Sequence, residues 1–531
     1  MSEMTQRDQV LMENGELKPK SASRALIALL VVSALIFSSL ALVRIDQLNQ
    51  PPQITPNAEI NAKHLQIIDG FGASGAWWSG PIFGMSKAAK TDVGRLLFSK
   101  RGLSLSQFRY NIGGGGVGVS TPWKKAPSFL LNNGSYDFSN DPAGVFFLKM
   151  AQSYGVNDLV GFVNSAPSQF TTNGLNCGGK LNPVDIGAFA QYLASVVRGI
   201  KTHFGIYVKY LSPFNEPDFS MAPCTQEGMR VPPLERARLI SILGPKLASF
   251  APWCHIIADE SSQVAYQFLP ELPKWIDSFG AKKYVAVLSH HNYDYPGPRV
   301  LSYMKTKVFK LGLTSWMTEI CCFDGSHFGY QYDPTMYQGM WLAKSIYNDL
   351  IFGGDSAFDW WTAISPNLGC DPVAVRNCAQ YANILGRNDG LIYYDINYLN
   401  DGDQAFYLTK RYFVFGNFSK FVLPGSILHK VTGLPRGVVA LASQFQGKWS
   451  VVVVDDRAKS ALGENLKIGI PNRTSNLKID SSALTNAQSS WGSVPNASIS
   501  SNGIISLTSY GQSVSSIEVS QTFAHRLLGL H

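Results

Sequence analysis

The chain has 531 residues, of which 45% are hydrophobic and 12% are aromatic. This composition is sufficient for a packed core and excludes a disordered or collagen-like protein. The formal net charge of +8 is spread thinly, and the absence of a basic run gives no indication of nucleic-acid binding.

The first distinctive segment is the uncharged apolar stretch at residues 25–43, which lies between Arg24 and Arg44. Its length is near the minimum of about 20 residues for a transmembrane helix. We therefore expect a signal anchor at residues 25–43, preceded by a cytoplasmic tail at residues 1–24 and followed by a linker at residues 44–58.

The charges that flank the apolar stretch predict its orientation. Lys18, Lys20 and Arg24 precede the stretch, and basic residues favour the cytosolic side of a membrane. The prediction is a single-pass type II membrane protein whose larger part is extracellular or lumenal. Secretion is the alternative, because Ser39 and Ala41 form a possible signal-peptidase site.

The cysteines and glycosylation sequons agree with a secretory route. Among the seven cysteines we predict the disulfides Cys177–Cys224 and Cys370–Cys378, with one thiol left over. The sequons begin at Asn133, Asn417, Asn472 and Asn496. The cysteine spacing matches no zinc motif and no other metal-ligand cluster is evident, so we expect neither a metal nor a cofactor.

Short apolar strands then alternate with segments of helical periodicity. The strands are predicted at 67–72, 104–112, 158–166, 206–214, 255–260, 285–293, 315–319 and 356–361, and two of the helical segments at 184–204 and 334–351. Eight strand–helix units predict an α/β protein with a (β/α)₈ TIM barrel at residues 59–420. From residue 421 to residue 531, short alternating segments predict an antiparallel β-sandwich, with 58–66 as a candidate further strand.

Two glutamates end strands of the predicted barrel. Glu216 lies in LSPFNEP after the fourth strand, and Glu319 ends the seventh strand in SWMTEI. Active sites of such barrels lie at the C-terminal strand ends, and paired carboxylates there are typical of glycosidic-bond hydrolysis. Glu216, beside Asn215, is the better candidate for the acid/base, and Glu319 for the nucleophile.

Other strand ends carry residues suited to a sugar cleft, namely Arg109, His291, Tyr293, Trp360 and Trp361. A cation beside the nucleophile favours its ionised form, and aromatic faces bury the C–H face of a sugar. The alternative for a single histidine or tryptophan is a packing role. Asp259 and Glu260 could supply a third acid or form a salt bridge. The glycines at 113–116 lack the spacing of a phosphate-binding loop, so we expect them to approach a bulky substrate.

Six motifs occur in the order found in one enzyme family. They are IDGFGASGAWW (68–78), FRYNIGGGG (108–116), LSPFNEPD (211–218), HNY (291–293), WMTEI (316–320) and RYFVFGNFSKFVLPGS (411–426), and together they resemble glycoside hydrolase family 30. The resemblance implies a barrel with an attached β-sandwich, and retaining chemistry with Glu216 as acid/base and Glu319 as nucleophile. It places Arg109, Asn215, His291, Tyr293 and the Trp360 region in the sugar-binding shell, to which we add Trp361, Trp78 and Asn164.

Two further features resemble the endo-β-1,6-galactanase branch of that family. These are YNIGGGG (110–116) and QEG (226–228). They imply hydrolysis of β-1,6-galactan, so the expected partner is a polysaccharide or glycoconjugate. Asn164, where glucosylceramidases carry a tryptophan, leaves the sugar open. The alternatives are a glucosylceramidase, β-1,6-glucanase or xylanase of the same family, and a catalytically silent sugar-binding surface protein.

Overall fold

The computed structural model describes residues 32–35, 37–38, 55–322, 330–473 and 476–521. The predicted tail at 1–24 and most of the predicted anchor at 25–43 lie outside these residues. No helix in the described ranges is both long and apolar enough to cross a membrane. Residues 56–531 belong to one unit, and its described part contains the predicted barrel and β-sandwich.

Eight parallel strands form the barrel and follow one another around it in chain order. Their bounds are Gly70–Ser74, Gln107–Asn111, Asp158–Phe162, Tyr210–Ser212, His255–Ser261, Val285–His291, Thr314–Glu319 and Ala357–Ser365. The barrel closes because the eighth strand pairs with both the first and the seventh strand. All eight predicted strands are confirmed, since strands covered by helices on the outside are continuous apolar runs that the sequence shows clearly.

Helices cover the outside of the barrel. The main ones are Lys87–Leu97, Pro142–Ser153, Ile186–Phe204, Pro233–Phe250, Leu269–Trp275, Pro298–Lys310, Met336–Asn348 and Lys410–Ser419, and shorter ones span Ser79–Phe83 and Tyr398–Asp401. Helix Ile186–Phe204 shows why the pattern predicts them: Phe189, Leu193 and Val197 are buried at helical spacing. It ends at Gly205, whose φ of 70° suits a residue without Cβ.

The β-sandwich is a mixed sheet. Its strands are Ala58–Ile67, Ile427–Thr432, Val438–Phe445, Lys448–Asp455, Glu464–Gly469, Leu477–Thr485, Ser490–Gly492, Ser498–Ile499, Ile504–Ser509 and Ser513–Gln521. Ala58–Ile67 pairs antiparallel with Ile427–Thr432 and parallel with Glu464–Gly469. This strand therefore joins the β-sandwich, as predicted for the candidate strand at 58–66, and the barrel does not begin at residue 59. Alternation along one strand shows which face is buried, but not which distant strand it joins.

Two smaller strands extend the barrel sheet. Gly390–Tyr394 pairs parallel with the eighth barrel strand, and Phe406–Leu408 pairs antiparallel with Gly390–Tyr394. The polypeptide between Ser365 and Gly390 therefore forms a long loop at the C-terminal end of the eighth strand. Barrel enzymes place their substrate-binding residues at this end of the strands.

Both predicted disulfides, Cys177–Cys224 and Cys370–Cys378, are present. Cys321 and Cys322 form a third bond, and the remaining thiol, Cys254, is buried. One sequon is corrected by the structure. Asn417 is fully buried, and its Nδ2 donates hydrogen bonds to Ala483 O and Ser516 Oγ, so a glycan has no access to it.

Candidate active site

Glu216 and Glu319 lie together at the C-terminal end of the barrel. Glu216 follows the fourth strand in a left-handed backbone conformation with φ of 44°, and its N–H donates to Glu260 O at 3.0 Å. Glu319 is the last residue of the seventh strand. One oxygen of each carboxyl group lies within 4.8 Å of the other. The two side chains are 14% and 4% exposed, so Glu216 is the more accessible.

Arg109, at the centre of the second strand, is fully buried beneath this pair. Its Nη1 donates to Glu319 Oε2 at 2.9 Å, and its Nη2 donates to Glu260 Oε2 at 2.7 Å and to Asn215 Oδ1 at 3.2 Å. Its guanidinium also lies 4.4 Å from the centre of the Phe162 ring. These contacts compensate the cost of burying a cation and give it a single orientation.

His291 bridges two carboxyl groups. Its Nδ1 lies 3.4 Å from Glu216 Oε1, and its Nε2 lies 3.0 Å from Glu260 Oε2. Burial alone would lower the pKa of His291, but Glu319, Glu216 and Glu260 outweigh it and raise the pKa to about 10. His291 is therefore an imidazolium at neutral pH, and both ring nitrogens are donors.

Glu260 forms buried ion pairs rather than a third acid. Burial would raise its pKa, but Arg109 and His291 lower the pKa to about 2. Asp359 on the eighth strand behaves in the opposite way, because burial raises its pKa to about 8 despite the nearby Arg109. A Cβ on Gly72 would collide with Asp359 Oδ1, which explains a glycine in the first strand.

Glu319 and Glu216 differ in the number of hydrogen-bond donors around their carboxyl groups. Both oxygens of Glu319 accept from a neighbour, since Tyr293 Oη donates to Glu319 Oε1 at 2.8 Å while Arg109 holds Oε2. Glu216 has a contact with His291, and its pKa is raised first by burial and then by the charge of Glu319. The arrangement favours the protonated form of Glu216 beside a buried Glu319 carboxyl group that two hydrogen-bond donors hold.

A chain of amides extends from Arg109 to the edge of the site. Asn215 Nδ2 donates to Asn164 Oδ1 at 3.1 Å, and Asn164 Nδ2 donates to Asn111 Oδ1 at 3.3 Å. Asn215 and Asn164 thus belong to one hydrogen-bonded network with Arg109 and Glu319. Asn111 also lines a pocket of about 260 Å³ together with Trp77 and Trp123. Asn111 lies within the FRYNIGGGG motif, in which only Arg109 and the glycines were predicted to serve the site.

Two of the predicted sugar-binding tryptophans do not reach the cleft. Trp78 is fully buried, its ring centre is 4.8 Å from that of Phe147, and its Nε1 donates to Ser74 O. Trp360 is also fully buried, packs against Trp341 and donates to Asp389 O. Neither side chain is exposed in this structure, because adjacent residues at a strand end point in different directions and the loop conformation decides which one faces outward.

Their neighbours form the aromatic wall instead. Trp361 is 8% exposed. The ring centre of Trp77 lies 5.0 Å from the ring centre of Trp361 and 6.0 Å from the ring centre of Trp123. Lys124 Nζ lies 4.5 Å from the centre of the Trp77 ring. The sequence could have indicated Trp77, because it is adjacent to the predicted Trp78. Trp123 lies in a loop without periodicity, so no sequence pattern indicated it.

The glycine run at 113–116 wraps around Glu227. Gly114 N–H and Gly116 N–H donate to the Glu227 carboxyl oxygens at 3.2 and 2.8 Å. Gly115 and Gly116 have φ of 111° and 68°, a region that favours glycine, and the turn they form directs the N–H groups of Gly114 and Gly116 to the same carboxyl group while Gly115 N–H donates to Ala126 O. Burial raises the pKa of Glu227 to about 8, although these N–H groups favour its charged form. The glycines therefore surround a carboxyl group of the same chain.

The fold and the site define a class of protein. Two carboxyl groups on the fourth and seventh strands of a (β/α)₈ barrel, beside an aromatic wall, are the machinery of a glycoside hydrolase. The sequence model of the family described as "O-Glycosyl hydrolase family 30" matches residues 57–373, which is more than half of the chain. The chain belongs to this family, and it is a glycoside hydrolase.

Known proteins that resemble the chain have several substrates. An exo-beta-1,6-galactobiohydrolase of Bifidobacterium longum subsp. longum is 26% identical over 238 aligned residues, which cover 32% of this chain and only 15% of that protein. The catalytic domain of a family 30 xylanase C from Talaromyces cellulolyticus has a TM-score of 0.68 and 22% identity, covering 87% of this chain and 100% of that domain. An endo-β1,6-glucanase has a TM-score of 0.65 and 16% identity over 89% of this chain and 95% of its own. The two structural likenesses support the fold alone.

Proposed function

We propose that this glycoside hydrolase cleaves β-1,6-linked galactan chains internally, with retention of the anomeric configuration. The observation that carries the mechanism is the short separation of the Glu216 and Glu319 carboxyl oxygens, which is within 4.8 Å. Retaining enzymes need about 5–5.5 Å between their carboxyl groups, whereas inverting enzymes need about 6.5–9.5 Å to admit a water molecule.

Glu319 acts as the nucleophile in the first step. Its carboxylate attacks the anomeric carbon and forms a glycosyl ester, while the bond to the leaving oxygen breaks. Glu216 gives its proton to that oxygen, and its raised pKa favours the protonated form that this step requires. Arg109 and Tyr293 orient Glu319 for the attack through one hydrogen bond to each oxygen.

The second step reverses these roles. Ionised Glu216 takes a proton from water, the water oxygen attacks the anomeric carbon, and the ester bond to Glu319 breaks. His291 stabilises the charge that Glu216 carries between the two steps, because its protonated Nδ1 lies 3.4 Å from Glu216 Oε1. The proton balance closes, since Glu216 starts and finishes the cycle protonated.

The choice of β-1,6-galactan rests on two supports. The glycine run and the QEG motif, which resemble the galactanase branch, contact each other through the hydrogen bonds of Gly114 and Gly116 to Glu227. They thus form one structural feature beside the aromatic wall. In addition, the galactobiohydrolase relative is named for a β-1,6-linked galactose disaccharide.

The aromatic wall of Trp77, Trp123 and Trp361 would bind sugar rings on one side of the carboxyl pair. Aromatic rings bury the apolar C–H face of a sugar, and Lys124 beside Trp77 can donate to hydroxyl groups. We also propose that residues 25–43 anchor the enzyme as a type II membrane protein with its barrel outside the cytosol. The three disulfides suit such an oxidising compartment.

The test is product analysis after incubation of the full chain with β-1,6-galactan, β-1,6-glucan, xylan and glucosylceramide. We expect short galacto-oligosaccharides whose new reducing ends are first β by NMR. Products from β-1,6-glucan, xylan or glucosylceramide, with none from β-1,6-galactan, would show that the substrate assignment is wrong. The Glu216→Gln and Glu319→Gln variants are the controls, and binding without turnover by the unmodified protein would instead identify a sugar-binding receptor.

A further inference from the structure

Three aspartates outside the active site meet beside the loop that follows the eighth barrel strand. Asp371 lies in the Cys370–Cys378 disulfide loop, Asp395 directly follows the strand Gly390–Tyr394, and Asp401 ends the short helix Tyr398–Asp401. One carboxylate oxygen from each lies within 4.8 Å of the others. The sequence did not indicate this group, because its members are separated along the chain and have no recognised spacing.

Asp395 provides a separate sign that a ligand is missing from this group. The residue is only 2% exposed, and its Oδ1 accepts a hydrogen bond from Asn397 N–H at 2.9 Å. Its Oδ2 is buried and has no hydrogen-bond donor among the residues that the structure describes. An unpaired buried carboxylate oxygen is costly unless an ion or a donor satisfies it.

The charges around the group make that cost larger. Within the described ranges, no salt bridge involves Asp371, Asp395 or Asp401. Three carboxylates in mutual contact thus lack a compensating positive charge from a side chain.

We propose that Asp371, Asp395 and Asp401 bind one calcium ion. Calcium–oxygen distances are about 2.3–2.6 Å, so oxygens less than about 5 Å apart can share one ion. The ligands are all carboxylates, whereas zinc prefers nitrogen and sulfur ligands, so the group suits calcium better than zinc. They come from loops and a helix end, and this adaptable arrangement suits calcium better than magnesium, which requires a small and regular octahedron.

The position of the site gives the ion a structural role. Gly390–Tyr394 runs parallel to the eighth barrel strand, so Asp395 lies beyond the C-terminal end of that strand. Asp371 is held in the loop by the adjacent disulfide. A bound calcium ion therefore fastens the loop after the eighth strand to the neighbouring strand, on the face of the barrel that carries Glu216 and Glu319. This inference does not depend on the proposed substrate.

The experiment is calcium titration of the chelator-treated full chain by calorimetry, together with thermal unfolding. We expect one site with a dissociation constant on the order of 10⁻⁴ to 10⁻³ M, as in extracellular calcium modules. Saturating calcium should raise Tm by about 2–4 °C relative to chelator. Absence of both responses, or an equal response to magnesium, would overturn the assignment.

Substitution separates this site from any other. Asp395→Asn should abolish the calcium response and should unfold at the same or a higher temperature than the unmodified chain in chelator, because repulsion among the carboxylates is relieved. The more accessible Asp371→Asn and Asp401→Asn give the same test if Asp395→Asn does not fold. Asp137→Asn, at a half-buried aspartate whose carboxyl group accepts hydrogen bonds from Ser139, is the matched control and should retain the full response. A normal calcium response in all three site variants would refute the proposal.

Discussion

Arg109 Nη1 donates a hydrogen bond of 2.9 Å to Glu319 Oε2, although the two residues are 210 positions apart in the chain. The contact crosses the barrel from the second strand to the seventh. The same guanidinium holds Glu260 at 2.7 Å, so one buried cation serves two carboxylates. With His291 protonated, two positive groups lie beside Glu260 and Glu319, while burial and the charge of Glu319 raise the pKa of Glu216.

The first prediction concerns the nucleophile. Glu319→Gln should reduce kcat by roughly 10⁴-fold or more, because no glycosyl ester can form. Glu319→Ala with added azide should regain turnover and yield a glycosyl azide of inverted configuration, detected by NMR. An azide product of retained configuration would contradict the assignment of Glu319.

The second prediction concerns the acid/base. Glu216→Ala should lose about 10²–10⁴-fold in kcat/KM on polysaccharide, and far less on aryl glycosides whose leaving groups need no proton. Because the pKa of Glu216 is raised, the alkaline limb of the unmodified enzyme should lie above the usual glutamate value of about 4.3. That limb should disappear in the variant. Equal losses on both kinds of substrate would assign the proton to another group.

The third prediction concerns the buried charge pairs. Arg109→Met removes one of the two cations beside Glu260 and Glu319, so the free energy of unfolding should fall by about 3–5 kcal/mol in denaturant titration. The matched control is Arg95→Met, since Arg95 pairs with Asp92 on the surface and both side chains are about half exposed. That control should change stability by about 0–1 kcal/mol. Equal effects of the two substitutions would show that Arg109 is not a structural cation.

The fourth prediction separates the neighbouring tryptophans. Trp77→Ala should raise KM for oligosaccharides by roughly 5–30-fold, or about 1–2 kcal/mol, with little change in unfolding. Trp78→Ala should instead lower the free energy of unfolding by about 3–5 kcal/mol, because it leaves a cavity beside Phe147. The opposite pattern in kinetics and thermal unfolding would return the sugar contact to Trp78.

The fifth prediction concerns the stability contributed by His291. Its pKa is about 10 in the folded protein, against the usual 6.5. A raised folded pKa stabilises the protein fully below pH 6.5, and the contribution is lost as the pH rises through about 10. The unfolding free energy of the unmodified protein should therefore approach that of His291→Asn between these pH values. A constant difference across this range would show that His291 is neutral when folded.

The sequence was sufficient to identify Glu216 and Glu319, because each acid lies at the end of a buried strand. Barrel strands are buried on both sides, so each appears as an apolar run, and an acid that ends such a run stands out. Chain order then places both acids on one face, because every strand of the barrel points the same way. The eight strands and the two glutamates are therefore local features, and the family motifs around them are local as well.

Features that depend on the pairing of distant residues were decided by the tertiary structure. The choice between Trp77 and Trp78, and between Trp360 and Trp361, depends on how a turn rotates adjacent side chains. The pairing of Ala58–Ile67 with the β-sandwich joins it to strands more than 350 positions away. The hydrogen bonds of Gly114 and Gly116 to Glu227 likewise join residues that are 111 to 113 positions apart. A linear pattern records the burial of each residue but not its partner, because the partner is chosen by the packing of the whole chain.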